Sequence, residues 1–169
     1  MKKKRGIIIS GALAQDHEFI YPYYRLLENE VKVDVCILEN TFVKGILGTT
    51  LPPNKNQKLI DIKKAKVQNY DILILPGGVK AMEKVRQNKD IINFISSFDK
   101  KNKIIACICS GAQLLISAKI VKNRDISGYY SMKDDLINAG ANYVDKPAVI
   151  DKNIITTAHY KDMGAWMAA

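Results

Sequence analysis

The sequence predicts a doubly wound α/β fold of the flavodoxin-like kind, built on a mostly parallel sheet. Three observations carry this. Short apolar runs recur at residues 5–10, 31–38, 71–75 and 104–108, as strands covered on both faces show. Segments with helical spacing separate them, the alternation expected of βαβ units. Two of the runs end in small-residue turns, Pro76-Gly77-Gly78 and Cys109-Ser110-Gly111, and helix formers follow each turn.

Residues 5–10 open the fold as the first strand, and residues 11–17 connect it to a helix over 18–28. Phe19, Ile20, Tyr23, Leu26 and Leu27 supply that helix's apolar positions, and Pro22 falls in about its first turn, where proline is tolerated. Residues 31–38 form the second strand. A short β excursion over 42–50 turns at Gly45 and Gly48, and 51–56 is a polar, proline-broken loop. Residues 59–62 read as a short strand and 65–67 as a turn. The strand at 71–75 precedes helices over 81–86 and 90–98. After the strand at 104–108, a helix runs to about 118. Residues 125–128 form a short strand, and 133–139 a helix closed by Gly140. Strands at 142–144, 148–150 and 153–157 follow, the last two as a hairpin, and a final helix covers 162–168.

At 169 residues the chain is expected to be one domain, 1–169. The net charge is +9, but only Arg5, Arg25, Arg86 and Arg124 among 26 basic residues are arginine. Nucleic-acid readers recruit arginine and interleave aromatics, so the charge reads as a solvated lysine surface and not as a nucleic-acid site. Three cysteines, Cys36, Cys107 and Cys109, make no disulfide framework, and a C-x-C with two histidines is a poor zinc pattern. A reducing cytoplasmic setting, no metal and no cofactor are expected. The start, MKKKR then GIIISGALA, imitates a signal peptide, but its apolar part is short and reads better as the first strand. No apolar run reaches membrane-spanning length.

The run from Lys103 to Leu115 is strand, tight turn and helix with a thiol at the turn. Cys107 and Gly111 sit two residues to either side of Cys109. A nucleophile elbow needs small neighbours there, because its turning residue is strained and strand and helix approach closely. A helix start behind the thiol favours the thiolate. The plain alternative is a buried structural cysteine. Cys107 lies inside the strand and has no glycine two residues on.

In a doubly wound sheet, reactive groups gather beyond the carboxyl ends of the strands. Glu18, Gly77, Gly78, Cys109 and Ser110 should therefore meet. The N–H groups of Gly78 and Ser110 suit an oxyanion, with a plain tight turn as the alternative for Gly77-Gly78. Glu18 beside a thiolate would hold its proton and donate it to the sulfur, or would merely favour the helix start.

These residues resemble the ThiJ/PfpI superfamily, with its class I glutamine amidotransferase-like fold, over almost the whole length. The segments that carry the resemblance run in order: Glu18 through Leu26, Leu75-Pro76-Gly77-Gly78, Glu83-Lys84-Val85-Arg86, Ala106 through Gly111, Ser127-Gly128-Tyr129, Lys133-Asp134-Asp135, Asn138-Ala139-Gly140-Ala141 and Ile155-Thr156-Thr157. The resemblance implies that Cys109 is the reactive cysteine, Glu18 the acid bonded to it, and Gly78 and Ser110 the oxyanion positions. It places Tyr129 in the pocket lining and Gln15 where many members carry another Glu. It implies that Glu83 reaches the site of a neighbouring subunit in a homodimer or larger assembly. The family's PfpI-type peptidases and its glyoxalase III group carry His directly after the nucleophile, where this chain has Ser110. His159, after the last strand, stands about where glutamine amidotransferases place their histidine; a surface loop histidine is the alternative. His17 reads as a rim residue and Lys133-Asp134-Asp135 as a structural helix start.

Two classes of function follow. One is an enzyme whose Cys109 thiolate attacks a small-molecule or protein-adduct substrate. Reactive carbonyls, as in glyoxalase or deglycase chemistry, are favoured over peptides because of Ser110. The other is a non-enzymatic stress protein or chaperone in which Cys109 is oxidised.

Overall fold

Ile7, Ile8 and Ile9 are fully buried, which is why an unbroken apolar run marks this strand. Side chains on both faces meet a helical layer, and each such isoleucine contributes roughly 1.5–3 kcal/mol relative to exposure. The computed structural model describes residues 3–169; Met1 and Lys2, which open the signal-like run, lie outside the described residues.

The chain runs through β1 (Arg5–Ser10), α1 (Asp16–Glu28), β2 (Lys32–Ile37), β3 (Val43–Lys44), β4 (Thr50–Leu51) and β5 (Ile72–Leu75). It continues through α2 (Val79–Val85), α3 (Lys89–Lys100), β6 (Ile104–Ile108), α4 (Ala112–Ser117), β7 (Asp125–Ile126) and α5 (Lys133–Asn138). It ends in β8 (Asn142–Tyr143), β9 (Val149–Asp151), β10 (Ile154–Thr157) and α6 (Met163–Ala168). The main sheet has the order β2-β1-β5-β6-β10-β9. All its pairings are parallel except β9 with β10. Helices α1 and α6 pack together on one face, and α2, α3 and α4 on the other. This is the doubly wound architecture, and the order reverses between β1 and β5, the switch point where such sheets open a crevice. The register sets Leu75 beside Cys107 and Ile108 beside Thr157, so β5, β6 and β10 end side by side.

Several boundaries differ from the sequence reading. Helix α1 starts at Asp16 and not at residue 18, so Pro22 lies in the helix interior. Its missing N–H leaves the Glu18 carbonyl without the usual helical donor. The early start is held by Asp16, which is buried and accepts from the Leu47 and Thr49 N–H groups at 2.8 and 2.9 Å. Burial pushes the Asp16 carboxyl up, but these bonds outweigh it and leave its pKa below the usual value. Residues 59–62 form no strand: Leu59 makes one bridge to Val35, and Ile62–Lys64 is a 3-10 turn capped by Asp61. Helix α2 begins at Val79, behind Gly78. Helix α3 begins at Lys89, because Asn88 caps the Asp90 and Ile91 N–H groups. The excursion at 42–50 is the small β3–β4 sheet, turning at Gly48 with φ +88°. Gly140, also at φ +88°, follows the end of α5 as expected. Strands β7 and β8 form a separate parallel pair. Helix α6 is seated by Trp166, 1% exposed, whose indole N–H donates to the Ile155 carbonyl at 3.1 Å. Among the described residues no helix is long and apolar enough to cross a membrane.

Candidate active site

Cys109 occupies the tight 3-10 turn between β6 and α4 with φ +59°, a left-handed conformation that costs a non-glycine residue about 1–3 kcal/mol. The turn closes only because its neighbours are small. A Cβ on Gly111 would come within 2.7 Å of the Leu75 carbonyl oxygen and 2.9 Å of that of Pro76. One on Gly78, at φ +101°, would meet Ala14 Cα and the Gln15 nitrogen at 2.6 Å. The Tyr129 N–H donates to the Cys109 carbonyl at 3.2 Å, tying the turn to the segment after β7.

Glu18, in the first turn of α1, is 0% exposed. Its Oε2 accepts from the Gly77 N–H at 2.8 Å, and the carboxyl is hydrogen-bonded to the Cys109 side chain. Its Oε1 has no hydrogen-bond partner. Burial pushes the Glu18 carboxyl up to about 7, against the opposing pull of the Cys109 and Gly77 bonds. Burial, and then the charge of an ionised Glu18, push Cys109 up to about 12, while the Ser110 N–H and hydroxyl favour charge on the sulfur. The thiol lowered on its own that the sequence suggests is therefore not what the geometry gives. Both groups rise first because they are buried, and the charge of an ionised Glu18 raises Cys109 further, so the two titrate as a coupled pair.

The pair opens on a cavity of about 610 Å³. Every residue the sequence singled out for the site borders it except Gly77, which packs beneath the pair. Gln15, Gly78, Glu83, Ser110, Tyr129 and His159 thus join Glu18 and Cys109 on one wall or another. Glu83 lines the cavity of its own chain. Gln15 donates its N–H to the Gly77 carbonyl at 3.1 Å, and its buried Oε1 has no partner. His159 Nδ1 accepts from the Lys161 N–H at 3.2 Å, which puts the ring proton on Nε2 in the neutral form. No lone pair then faces outward to take a proton from Cys109. The ring instead belongs to an aromatic wall, 4.0 Å from Tyr160 and 6.2 Å from Tyr129 between centroids. His17 is exposed and 5.3 Å from Tyr160, a rim position as expected. Arg86, Gln113, Asp135, Tyr160 and Ile46 also line the cavity and were not among the site residues chosen from sequence. Asp135 stands in the first turn of α5, as its reading as a helix-start charge expects, and also borders the cavity. Two signals were present: Arg86 lies three residues after Glu83, and Gln113 four after Cys109, both spacings that share a helix face. Among the described residues no three His, Cys, Asp or Glu side chains gather as metal ligands.

Gly77 is the tightest point. A Cβ there would fall 2.4 Å from Glu18 Oε2 and 2.8 Å from Cys109 Cβ. Gly77→Ala is expected to destabilise the fold by about 1–3 kcal/mol and to lower kcat/KM about a hundredfold by displacing the pair. Thermal melting and steady-state kinetics check this, and unaltered kinetics would show that the pair is not held by this contact.

The family pattern described as the DJ-1/PfpI family matches residues 4–169. The chain is 33% identical over 161 residues to the deglycase PfpI of Pyrococcus furiosus, covering 95% of this chain and 93% of that one. It is 36% identical over 167 residues to YraA of Bacillus subtilis, whose name assigns it provisionally to the cysteine proteases, with 98% and 95% covered. Among solved structures, it superposes with a TM-score of 0.91 and 28% identity on a two-domain Anabaena variabilis protein with DJ-1/ThiJ/PfpI-like and ferritin-like domains. That match covers 98% of this chain and 46% of the other, so this chain spans less than half of it.

Proposed function

Because the chain belongs to the DJ-1/PfpI family, we propose that it is a cysteine-dependent enzyme acting on α-oxoaldehydes or their early adducts through Cys109. The observation that carries this is the buried Glu18–Cys109 pair opening on the cavity. Within the pair the charge belongs on sulfur. The sulfur has the N–H and hydroxyl of Ser110 beside it. A Glu18 carboxylate would have the Gly77 N–H and the Cys109 S–H, with Oε1 unpartnered, whereas the thiolate would have the two Ser110 groups and the Glu18 O–H. Protonated Glu18 instead donates to the thiolate.

In the proposed reaction the sulfur attacks the aldehyde carbon and forms a C–S bond. The carbonyl electrons move to oxygen, which the Gly78 and Ser110 N–H groups stabilise and Glu18 protonates. A proton shift between the two oxygen-bearing carbons turns the adduct into a thioester. Water then releases the 2-hydroxy acid and the thiolate, so the net change is addition of one water. The name deglycase carried by the Pyrococcus furiosus relative supports carbonyl chemistry. Peptide cleavage is disfavoured, since Ser110 replaces the histidine that would protonate a leaving amine and His159 Nδ1 is engaged. The same reading takes the chain as one domain in a cytoplasmic homodimer or larger assembly.

The test is direct. Purified protein given methylglyoxal is expected to consume it and release lactate, and to leave unstructured peptides intact. Peptide hydrolysis without methylglyoxal consumption would overturn the assignment.

A further inference from the structure

Arg86 caps the C-terminal end of α2 and borders the Cys109 cavity, yet the carbonyl chemistry above does not use it. Its Nε–H donates to Ser117 Oγ at 3.0 Å and an Nη1–H to Gln113 Oε1 at 3.3 Å. Both partners lie on α4, so the guanidinium plane is fixed from one side. A guanidinium has five N–H donors, and these two bonds leave the remaining ones free. Arg5, Arg25 and Arg124 each pair with a carboxylate; among the described residues Arg86 has no such partner.

A second observation points to the same place. Ser110 borders the cavity at 4% exposure, and apart from its contact with the Cys109 sulfur its Oγ has no hydrogen-bond partner. Gln113 is also buried on the cavity wall, and because its Oε1 is taken by Arg86, its amide N–H groups face elsewhere. Ser110 follows Cys109 directly, and Gln113 lies one helical turn on. Arg86, Gln113 and Ser110 therefore line the same cavity as the sulfur.

The geometry points to an anion subsite in which Arg86 and Gln113 hold the carboxylate of a 2-oxo or 2-hydroxy acid on the cavity wall shared with Cys109 and Ser110. A planar carboxylate matches the guanidinium fork. One arginine, with the exposed carboxyls of Glu83 and Asp135 also lining the cavity, suits a monoanion over a phosphate dianion. The choice of a 2-oxo or 2-hydroxy acid rests on the proposed carbonyl chemistry; anion binding itself does not.

Oxamate, an unreactive 2-oxo carboxylate analogue, and oxamide, its uncharged counterpart, are titrated calorimetrically into the purified chain. Oxamate is expected to bind more tightly than oxamide. Arg86→Met should weaken oxamate by about tenfold or more and leave oxamide unchanged, with Arg86→Lys intermediate. Gln113→Glu, which keeps the shape but neutralises Arg86 by pairing, should also weaken oxamate. Alkylation supplies an independent readout: Arg86→Met should slow iodoacetate at Cys109 about tenfold and spare neutral iodoacetamide. Equal binding of oxamate and oxamide, or oxamate binding indifferent to Arg86→Met and Gln113→Glu, overturns the subsite. Discrimination by charge without methylglyoxal consumption would remove the carbonyl reading and keep the subsite; the converse would do the opposite.

Discussion

Cys109→Ser is expected to abolish methylglyoxal turnover, with a loss of at least ~1000-fold in kcat. The hydroxyl oxygen is a far weaker acid than the thiol, so the Glu18 pair can no longer place a charge on the attacking atom near neutral pH. Serine is close in size and keeps the strained turn, so the fold should melt within about 1 kcal/mol of the unmodified protein. The unmodified protein should gain kcat/KM as pH rises through about 7, where the raised Glu18 carboxyl of the pair begins to ionise. The serine variant should lack this limb. Steady-state kinetics from pH 5 to 9 reads both effects. Turnover that survives in the variant would remove Cys109 from the mechanism, whatever the shape of the profile.

Glu18→Gln should make the protein more stable and less active. The folded carboxyl is raised from 4.5 to about 7, so between those values the folded state binds more protons than the unfolded one. Stability therefore falls as pH rises across that window, and the deficit is absent below it and complete above it. About 2.5 pKa units at 1.36 kcal/mol each gives roughly 3 kcal/mol. At pH 8 the glutamine variant should melt about 6–12 °C above the unmodified protein, and at pH 4 the two should coincide. Its amide can still donate to the sulfur but cannot pass a proton to the new oxyanion, so kcat should drop about a hundredfold. Equal melting temperatures at pH 8 would mean that the carboxyl is not costly in the fold.

What could be read from sequence, and what could not, follows the range of the interactions involved. β1 and β6 match their apolar runs because a strand buried on both faces leaves a continuous local imprint. The elbow was legible for the same reason: Cys107 and Gly111 are small because their own immediate surroundings are tight. The start of α1 was not, since Asp16 is fixed by N–H groups of Leu47 and Thr49, far along the chain. Residues 59–62 have the apolar character of a strand, but Leu59 finds one bridge and Asp61 caps a turn instead. Arg86 and Gln113 sit on helices whose cavity-facing side is set by how α2 meets α4. For His159 the deciding contact is a backbone N–H two residues on, invisible to residue type alone.

Trp166 is the single tryptophan of the chain. Its ring is sealed from water and its N–H is held by Ile155. Intrinsic fluorescence therefore watches one spot, the seat of α6 against β10, and β10 runs on to His159 at the cavity wall. An emission-detected denaturation curve follows the fastening of this last layer, whereas circular dichroism averages over all helices. Midpoints that differ between the two optical signals would reveal a C-terminal layer that lets go before the rest of the sheet.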